Sequence, residues 1–200
     1  VIANLRNKGN ELINSWREVR RTSHTEDCEG ADSEFDDALS TATLNLIGIQ
    51  SEKEATQIIN DLNKAGMTFL GKVTPSNSTN PFNLSFLLDN AAINDSKGWS
   101  ESINVTNSCG EFFETAFDLN QTITGLPAGT YKLTFQAFQR PGTSEEVSTQ
   151  FANGTNSVNT FMFLGTKTKK VKNIMEGARN TRLHSEAVGV GSPVKYIPNS

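Results

Sequence analysis

Cysteine and histidine are nearly missing from this chain, with two of each in 200 residues. Cys28 and Cys109 are too few for a disulfide framework, and neither belongs to a C-x-x-C pair of the zinc or redox kind. Whether the two form a single bridge stays open. His24 and Cys28 stand four residues apart, which supplies half a zinc site at most, and the plainer reading is two polar residues near a helix end. Long apolar runs are missing as well. Nothing approaches the ~18 to 20 residues that cross a bilayer as a helix, and no basic segment followed by an apolar one opens the chain. The first residue is Val1, so any targeting signal is expected to have been removed or to lie upstream. Positive charge is not in excess either: 18 Lys and Arg face 22 Asp and Glu, a formal charge of −4. That leaves no basic stripe to neutralise a phosphate backbone, and nucleic acid is not an expected partner.

Catalytic constellations are also missing. No H-E-x-x-H, G-x-S-x-G, G-x-x-x-x-G-K-[ST] or G-x-G-x-x-G occurs, and Gly189-Val190-Gly191 runs into Ser192-Pro193 rather than into a helix. Glu114 and Asp118 would lie about 13 Å apart along a strand, too far for a glycosidase pair at roughly 5 to 9.5 Å. Glu145 and Glu146 are neighbours on an expected loop and read as solvated surface. No residue is nominated as catalytic, and the chain is expected not to be an enzyme.

What is abundant is uncharged polarity: Asn, Ser and Thr make up roughly three residues in ten, a composition that suits an extracellular protein rich in loops and strands. Six N-x-S/T sequons, at Asn77, Asn83, Asn94, Asn104, Asn120 and Asn153, are of the number expected by chance in such a chain and matter only in a secretory eukaryote. The composition changes near residue 75. Residues 1–74 hold twelve acidic and eight basic side chains and two of the twelve Phe, whereas the rest balances ten against ten and holds ten Phe, both Tyr and all six Pro. The expected organisation is a helical bundle over residues 1–74, a Pro/Ser/Asn-rich linker over 75–80 and a strand-rich domain over 81–200.

In the first part, Leu5, Leu12, Ile13, Trp16 and Val19 share one helical face and predict a helix over 2–20. Phe35, Leu39, Ala42 and Leu46 predict a second over 33–46. Ser51-Glu52-Lys53-Glu54 is a capping box that opens a third, with Ala55, Ile58, Ile59, Leu62 and Ala65 as its stripe. Three short amphipathic helices bury their stripes against one another, so a three-helix bundle is expected.

The second part has a period of two. Tyr131, Leu133, Phe135 and Ala137 alternate with polar residues, as do Phe113, Thr115, Phe117, Leu119, Gln121 and Ile123 in their turn. Joined by Gly125-Leu126-Pro127-Ala128-Gly129, these runs predict an antiparallel pair. A third strand over 158–164 turns at Gly165 into 166–172, where Lys167, Lys169, Lys170 and Lys172 read as an edge strand guarded by lysines rather than a polyanion site. The expected architecture is a β-sandwich.

Aromatics are the remaining source of chemistry, because sugars dock C–H faces on flat rings while Arg, Asn, Gln and Glu hold their hydroxyls. Trp99, after Gly98, is a candidate, with a core anchor as the competing reading. Phe138 and Arg140 continue the polar face of the 131–137 strand, so an aromatic there points to a binding surface unless a neighbouring segment covers it.

Several strings carry a family resemblance. They are Asp89-Asn90 with Lys97-Gly98-Trp99, Cys109-Gly110-Glu111-Phe112-Phe113 through Phe117-Asp118-Leu119-Asn120-Gln121-Thr122, and Gly125-Leu126-Pro127-Ala128-Gly129-Thr130-Tyr131-Lys132-Leu133 with Gln136-Ala137-Phe138-Gln139-Arg140. The tail, residues 171–178 and 196–200, belongs with them. Together these segments resemble the galactose-binding-like, carbohydrate-binding-module class of sandwiches on surface proteins of Bacteroidetes, and the helical part resembles the small bundles that precede them. The resemblance implies a jelly-roll sandwich, export to the medium or the cell surface, and an accessory glycan-binding role with Trp99, Phe138 and Arg140 as contacts. It also implies that further strands close the sandwich, so the chain is expected to be a piece of a longer one. Sandwiches of this class often hold a structural calcium ion, to which Asp89, Asn90 or Asp95 would lend oxygens. Fold alone names no ligand. A structural or adhesive protein contacting another protein, and the accessory region of a glycoside hydrolase catalytic elsewhere, are the alternatives.

Overall fold

The computed structural model describes residues 1–25, 30–106, 109–155 and 157–176. The chain divides into two compact units, Val1–Gly129 and Thr130–Ser200.

The first unit is built on three helices, α1 (Ile2–Arg21), α2 (Ala31–Ile47) and α3 (Glu52–Leu70), each packed against the other two. Leu12, Ile13, Trp16 and Val19 from α1, Phe35, Leu39, Ala42 and Leu46 from α2, and Ala55 and Leu62 from α3 are buried together as the sequence predicts; Phe69 and Leu70, outside the expected α3 stripe, join them, while Leu5, Ile58, Ile59 and Ala65 are partly buried. Trp16 is fully buried. Its ring meets Phe35 edge-on at 5.8 Å, its Nε1–H donates to Asn63 Oδ1 at 3.0 Å, and Phe35 stacks on Phe69 at 4.5 Å. Gly66 lies directly under the Trp16 indole, so α1 and α3 approach more closely there than a side chain on α3 would allow. The capping box of α3 is formed as expected, with Glu54 N–H donating to Ser51 Oγ at 3.2 Å and Ser51 N–H to Glu54 Oε2 at 3.1 Å. Arg6 finishes the C-terminal end of α2 by donating to Leu46 O at 3.1 Å, where a cation suits the helix dipole.

Short ladders tie the helices to the chain that follows. β1 (Ser23–His24) pairs antiparallel with β2 (Thr74–Pro75), so the start of the expected linker is hydrogen-bonded to the end of α1, and Ser76 N–H adds a bond to Thr22 O at 2.8 Å. Phe82, Leu84, Phe86 and Leu87 then pack on the helical core, and Phe86 reaches Trp16 edge-on at 5.0 Å. β3 (Asn104–Thr106) pairs antiparallel with β4 (Cys109–Glu111).

In the second unit β5 (Phe138–Gln139) pairs in parallel with β8 (Lys172–Asn173), and α4 (Ser144–Ala152) lies between them in sequence. Val147, Ile174 and Met175 are buried against Phe138 as a small separate core. β6 (Phe161–Leu164) and β7 (Lys167–Lys170) form an antiparallel hairpin that turns at Gly165, as the sequence predicts.

No β-sandwich is formed among the described residues. Among the described residues the strands make four separate two-stranded ladders, none with a strand longer than four residues, and the galactose-binding-like jelly roll expected over 81–200 is corrected accordingly. Residues 113–123 and 131–137, the two best-patterned strands, take part in no ladder, and Phe117 and Phe135 stay exposed instead of facing a core. Two competitors act on the pair. Side chains of Ser100 and Glu101 bind the backbone of residues 118 and 120, and the Gln121 side chain ties that segment to the Asp89 backbone, which gives it an alternative to strand pairing. The expected turn is also drawn away: Leu126 packs on the helical core, and Pro127 approaches Gly71 at the end of α3. The expected loop around Glu145 and Glu146 is helix α4.

Candidate functional site

A polar loop knot of the first unit gathers the amide groups of Asn90, Asn120 and Gln121 with the rings of Trp99, Phe112 and Phe117. It starts at Asn90, whose φ of 49° lies in the left-handed region that Asn tolerates. Its Nδ2 donates to Asp95 O at 2.7 Å and to Asp95 Oδ1 at 2.8 Å, while its Oδ1 accepts from Asn94 N–H at 3.2 Å. Asp95 Oδ1 also accepts from Lys97 N–H at 2.8 Å, closing a local turn. Gly98 follows at φ +78°, with the Asp89 side chain against the place where a Cβ would stand. Only glycine satisfies both conditions. Trp99 comes next, half-buried, its Nε1–H donating to Asn90 O at 3.2 Å.

A second strand of chain is clamped to this loop. Ser100 N–H donates to Asn120 O at 3.1 Å, Ser100 Oγ donates to Asp118 O at 2.8 Å, and Asn120 N–H donates back to Ser100 Oγ at 2.8 Å. Glu101 Oε1 accepts from Asp118 N–H at 2.9 Å. Gln121 completes the clamp with a two-way amide bond to Asp89: Asp89 N–H donates to its Oε1 at 3.0 Å and its Nε2 donates to Asp89 O at 2.5 Å. Beside the clamp, Phe112 and Phe117 stack at 4.0 Å with planes 11° apart, Phe117 being 40% and Phe113 64% exposed. Ring faces and planar amides are thus held on one short stretch of chain, the combination that sugar recognition uses.

The oxygens expected to serve calcium have other partners here. Asp89 Oδ1 meets the Lys8 ammonium at 2.7 Å, Asp95 Oδ1 accepts two N–H bonds, and Asp95 Oδ2 lies 3.5 Å from Lys97 Nζ. Among the described residues no three His, Cys, Asp or Glu side chains gather as a metal site.

The three residues expected to contact glycan fall in different units. Trp99 sits in the first-unit knot, whereas Phe138 and Arg140 belong to the second. Phe138 is half-buried in β5 with its ring on Val147, Ile174 and Met175, so a neighbouring segment covers it; Arg140 follows, also half-buried. His24 lies in β1 opposite Thr74, and Cys109 lies in β4 opposite Thr106. Cys28, His184 and the 177–200 part of the tail lie outside the described residues. A groove of about 290 Å³ between α2 and α3 has the Phe35 and Phe69 stack as its floor and the Lys72 to Glu34 ion pair, 2.8 Å, on its rim. Its floor is core packing and carries no cluster of reactive groups.

Sequence reasoning overlooked Phe113 and Phe117 as surface residues because alternation assigned them to a buried strand face. The signal that could have corrected this was the density of Ser, Asp, Asn and Gln around them, residues that bind backbone locally instead of leaving it for a ladder. The chain matches no family model, no curated protein and no solved structure.

Proposed function

We propose that this chain is a non-catalytic recognition module, secreted or displayed at the cell surface, that binds carbohydrate through the aromatic and amide groups of its first-unit knot. The observation that carries the reading is the stack of half-buried Phe112 on exposed Phe117 beside the Ser100, Asp118 and Asn120 clamp, with Trp99 adjoining Ser100 in the chain. Export is supported by the Asn, Ser and Thr content. A non-catalytic role is supported by the lack of any nucleophile and base motif in the sequence, and the aromatic clamp needs no reacting group to hold a sugar. Trp99 and Phe117 supply faces, while Asn120 and Glu101 supply planar polar groups. Arg140 is the second unit's contact, since Phe138 is engaged in packing.

A glycan-array screen of the whole chain tests this. Saturable binding that weakens by about tenfold or more, a difference of ~1.4 kcal/mol, in Trp99→Ala and Phe117→Ala is the expected result. Loss in Arg140→Ala alone would move the site to the second unit. Absence of binding to any glycan would reject the carbohydrate reading in favour of a protein-contacting module.

A further inference from the structure

The β6–β7 hairpin joins an exposed apolar strand to an exposed cationic one. Its register sets Phe161 opposite Lys170, Met162 opposite Lys169, Phe163 opposite Thr168 and Leu164 opposite Lys167. Phe161 is 51%, Phe163 46% and Leu164 45% exposed, and all of β7 is open to solvent. Because side chains alternate along a strand, Phe161 and Phe163 lie on one face with Lys170, and Met162 and Leu164 lie on the other with Lys169 and Lys167. Both faces are therefore apolar along one edge and basic along the other. A ligand that stacks on a platform, such as a sugar ring, covers one face and leaves the second in water. A medium that surrounds the hairpin covers both.

We propose that this hairpin inserts its β6 edge and its Gly165 turn into the boundary between headgroups and acyl chains of an anionic lipid bilayer. Charge complementarity selects the lipid sign: Lys167, Lys169 and Lys170 line the other edge. The unit that carries them holds nine Lys and Arg against four Asp and Glu, a formal +5, whereas Val1–Gly129 holds nine against eighteen, a formal −9. Basic side chains near a phosphatidylserine surface are attracted within a Debye length of it. Lys170 Nζ lies 5.6 Å from the Phe161 ring centroid, its stem laid along apolar surface while its head is free to meet a phosphate. The turn is open locally: Gly165 is exposed, has a φ of +57°, and among the described residues nothing lies within 4 Å of where its Cβ would be. Four residues extend about 13 Å, far short of a bilayer, and backbone groups on an unpaired edge need water or headgroups as partners. Both facts confine the hairpin to the interface.

Co-sedimentation of the whole chain with phosphatidylcholine vesicles, with and without phosphatidylserine, tests the proposal. Binding to the anionic vesicles is expected, about tenfold or more above binding to the neutral ones, and it should fall as salt is raised. The double variants Phe163→Ser with Leu164→Ser, and Lys169→Glu with Lys170→Glu, should each lower it by a similar factor. These side chains are exposed, so unchanged far-UV circular dichroism serves as the folding control. Phe163→Trp places a reporter at the edge, and its emission should shift to the blue on adding anionic vesicles, beyond any change in the unsubstituted chain. No co-sedimentation, or binding that both double variants retain, would overturn the proposal. So would binding without the emission shift, which means adsorption without insertion. Retention on heparin that needs the lysines but not Phe163 and Leu164 would reassign the hairpin to a soluble polyanion. Self-association abolished by the Phe163 and Leu164 variant, in a chain that ignores vesicles, would reassign it to a second copy.

Discussion

Gly66 and Gly98 are two glycines whose missing side chains decide geometry, for different reasons. At Gly66 the backbone is helical, and the constraint is the Trp16 indole lying where a Cβ would stand. Gly66→Ala should overpack the α1 and α3 crossing and lower stability by about 1–3 kcal/mol in chemical denaturation, despite the better helix propensity of alanine. The opposite change, Trp16→Ala, opens a cavity in the same place and should cost about 3–5 kcal/mol. At Gly98 the constraint is double, a positive φ and the Asp89 side chain. Gly98→Ala should loosen the loop that holds Trp99, seen as stronger acrylamide quenching of its fluorescence, while buried Trp16 stays protected and the bundle keeps its unfolding midpoint. An unchanged quenching profile would mean that the Asn90 and Asp95 bonds hold the loop alone.

Among the elements, α3 and α4 share one device, a hydroxyl at the N-cap answered by a Glu three residues later. Ser51→Ala should destabilise the first unit by ~1 kcal/mol. In α4 the Glu146 carboxyl is held below the ordinary carboxylate range by the Thr143 N–H, 2.8 Å away, and then by the bond through the Thr143 side chain. A group whose folded pKa lies below its unfolded one stabilises the folded state fully above the unfolded value, and that contribution drains away as pH falls through the folded one. The α4 start should therefore loosen on acidification below the usual Glu range. Carbon-13 titration of the Glu146 carboxyl should show a midpoint under that of a free Glu, and Glu146→Gln, neutral throughout, should remove the pH dependence. Glu18 titrates low in the same sense through its hydrogen bonds from Arg21, one turn along α1.

On the scale of the whole molecule, the described residues form two cores of very unequal size. Thirteen buried residues from three helices and Ile49 between α2 and α3 make the first, whereas Val147, Ile174, Met175 and the half-buried Phe138 make the second. Hydrophobic stabilisation scales with buried area, so the units should melt in two calorimetric transitions, the smaller one first. Val147→Ala should lower only the first transition and Gly66→Ala only the second. A single transition moved by both substitutions would show that the units unfold as one.

The three long helices were legible from the chain because their hydrogen bonds run four residues back and their stripes recur every three or four positions, so the information is local. The α3 start could be read to the residue from Ser51 and Glu54, and the hairpin turn from Gly165. The start of α4 was equally readable, since Thr143 and Glu146 repeat the Ser51 pattern, but the helix is short and its box stood among Pro, Gly and Ser. The strands were another matter. Alternation over 113–123 and 131–137 states which face would be buried if a partner and a core existed, and both lie elsewhere in the chain. Only the tertiary structure decided that Ser100 and Glu101 take up the backbone of residues 118 and 120, that Gln121 takes up the backbone of Asp89, and that Leu126 and Pro127 go to the helical bundle. The same holds for the candidate site: the sequence offered Trp99, Phe138 and Arg140, and the fold alone placed Phe117 in the open and covered Phe138. Local bonding is written in neighbouring residues, whereas the contest between a ladder and a side-chain clamp is settled by which groups the folded chain brings within reach.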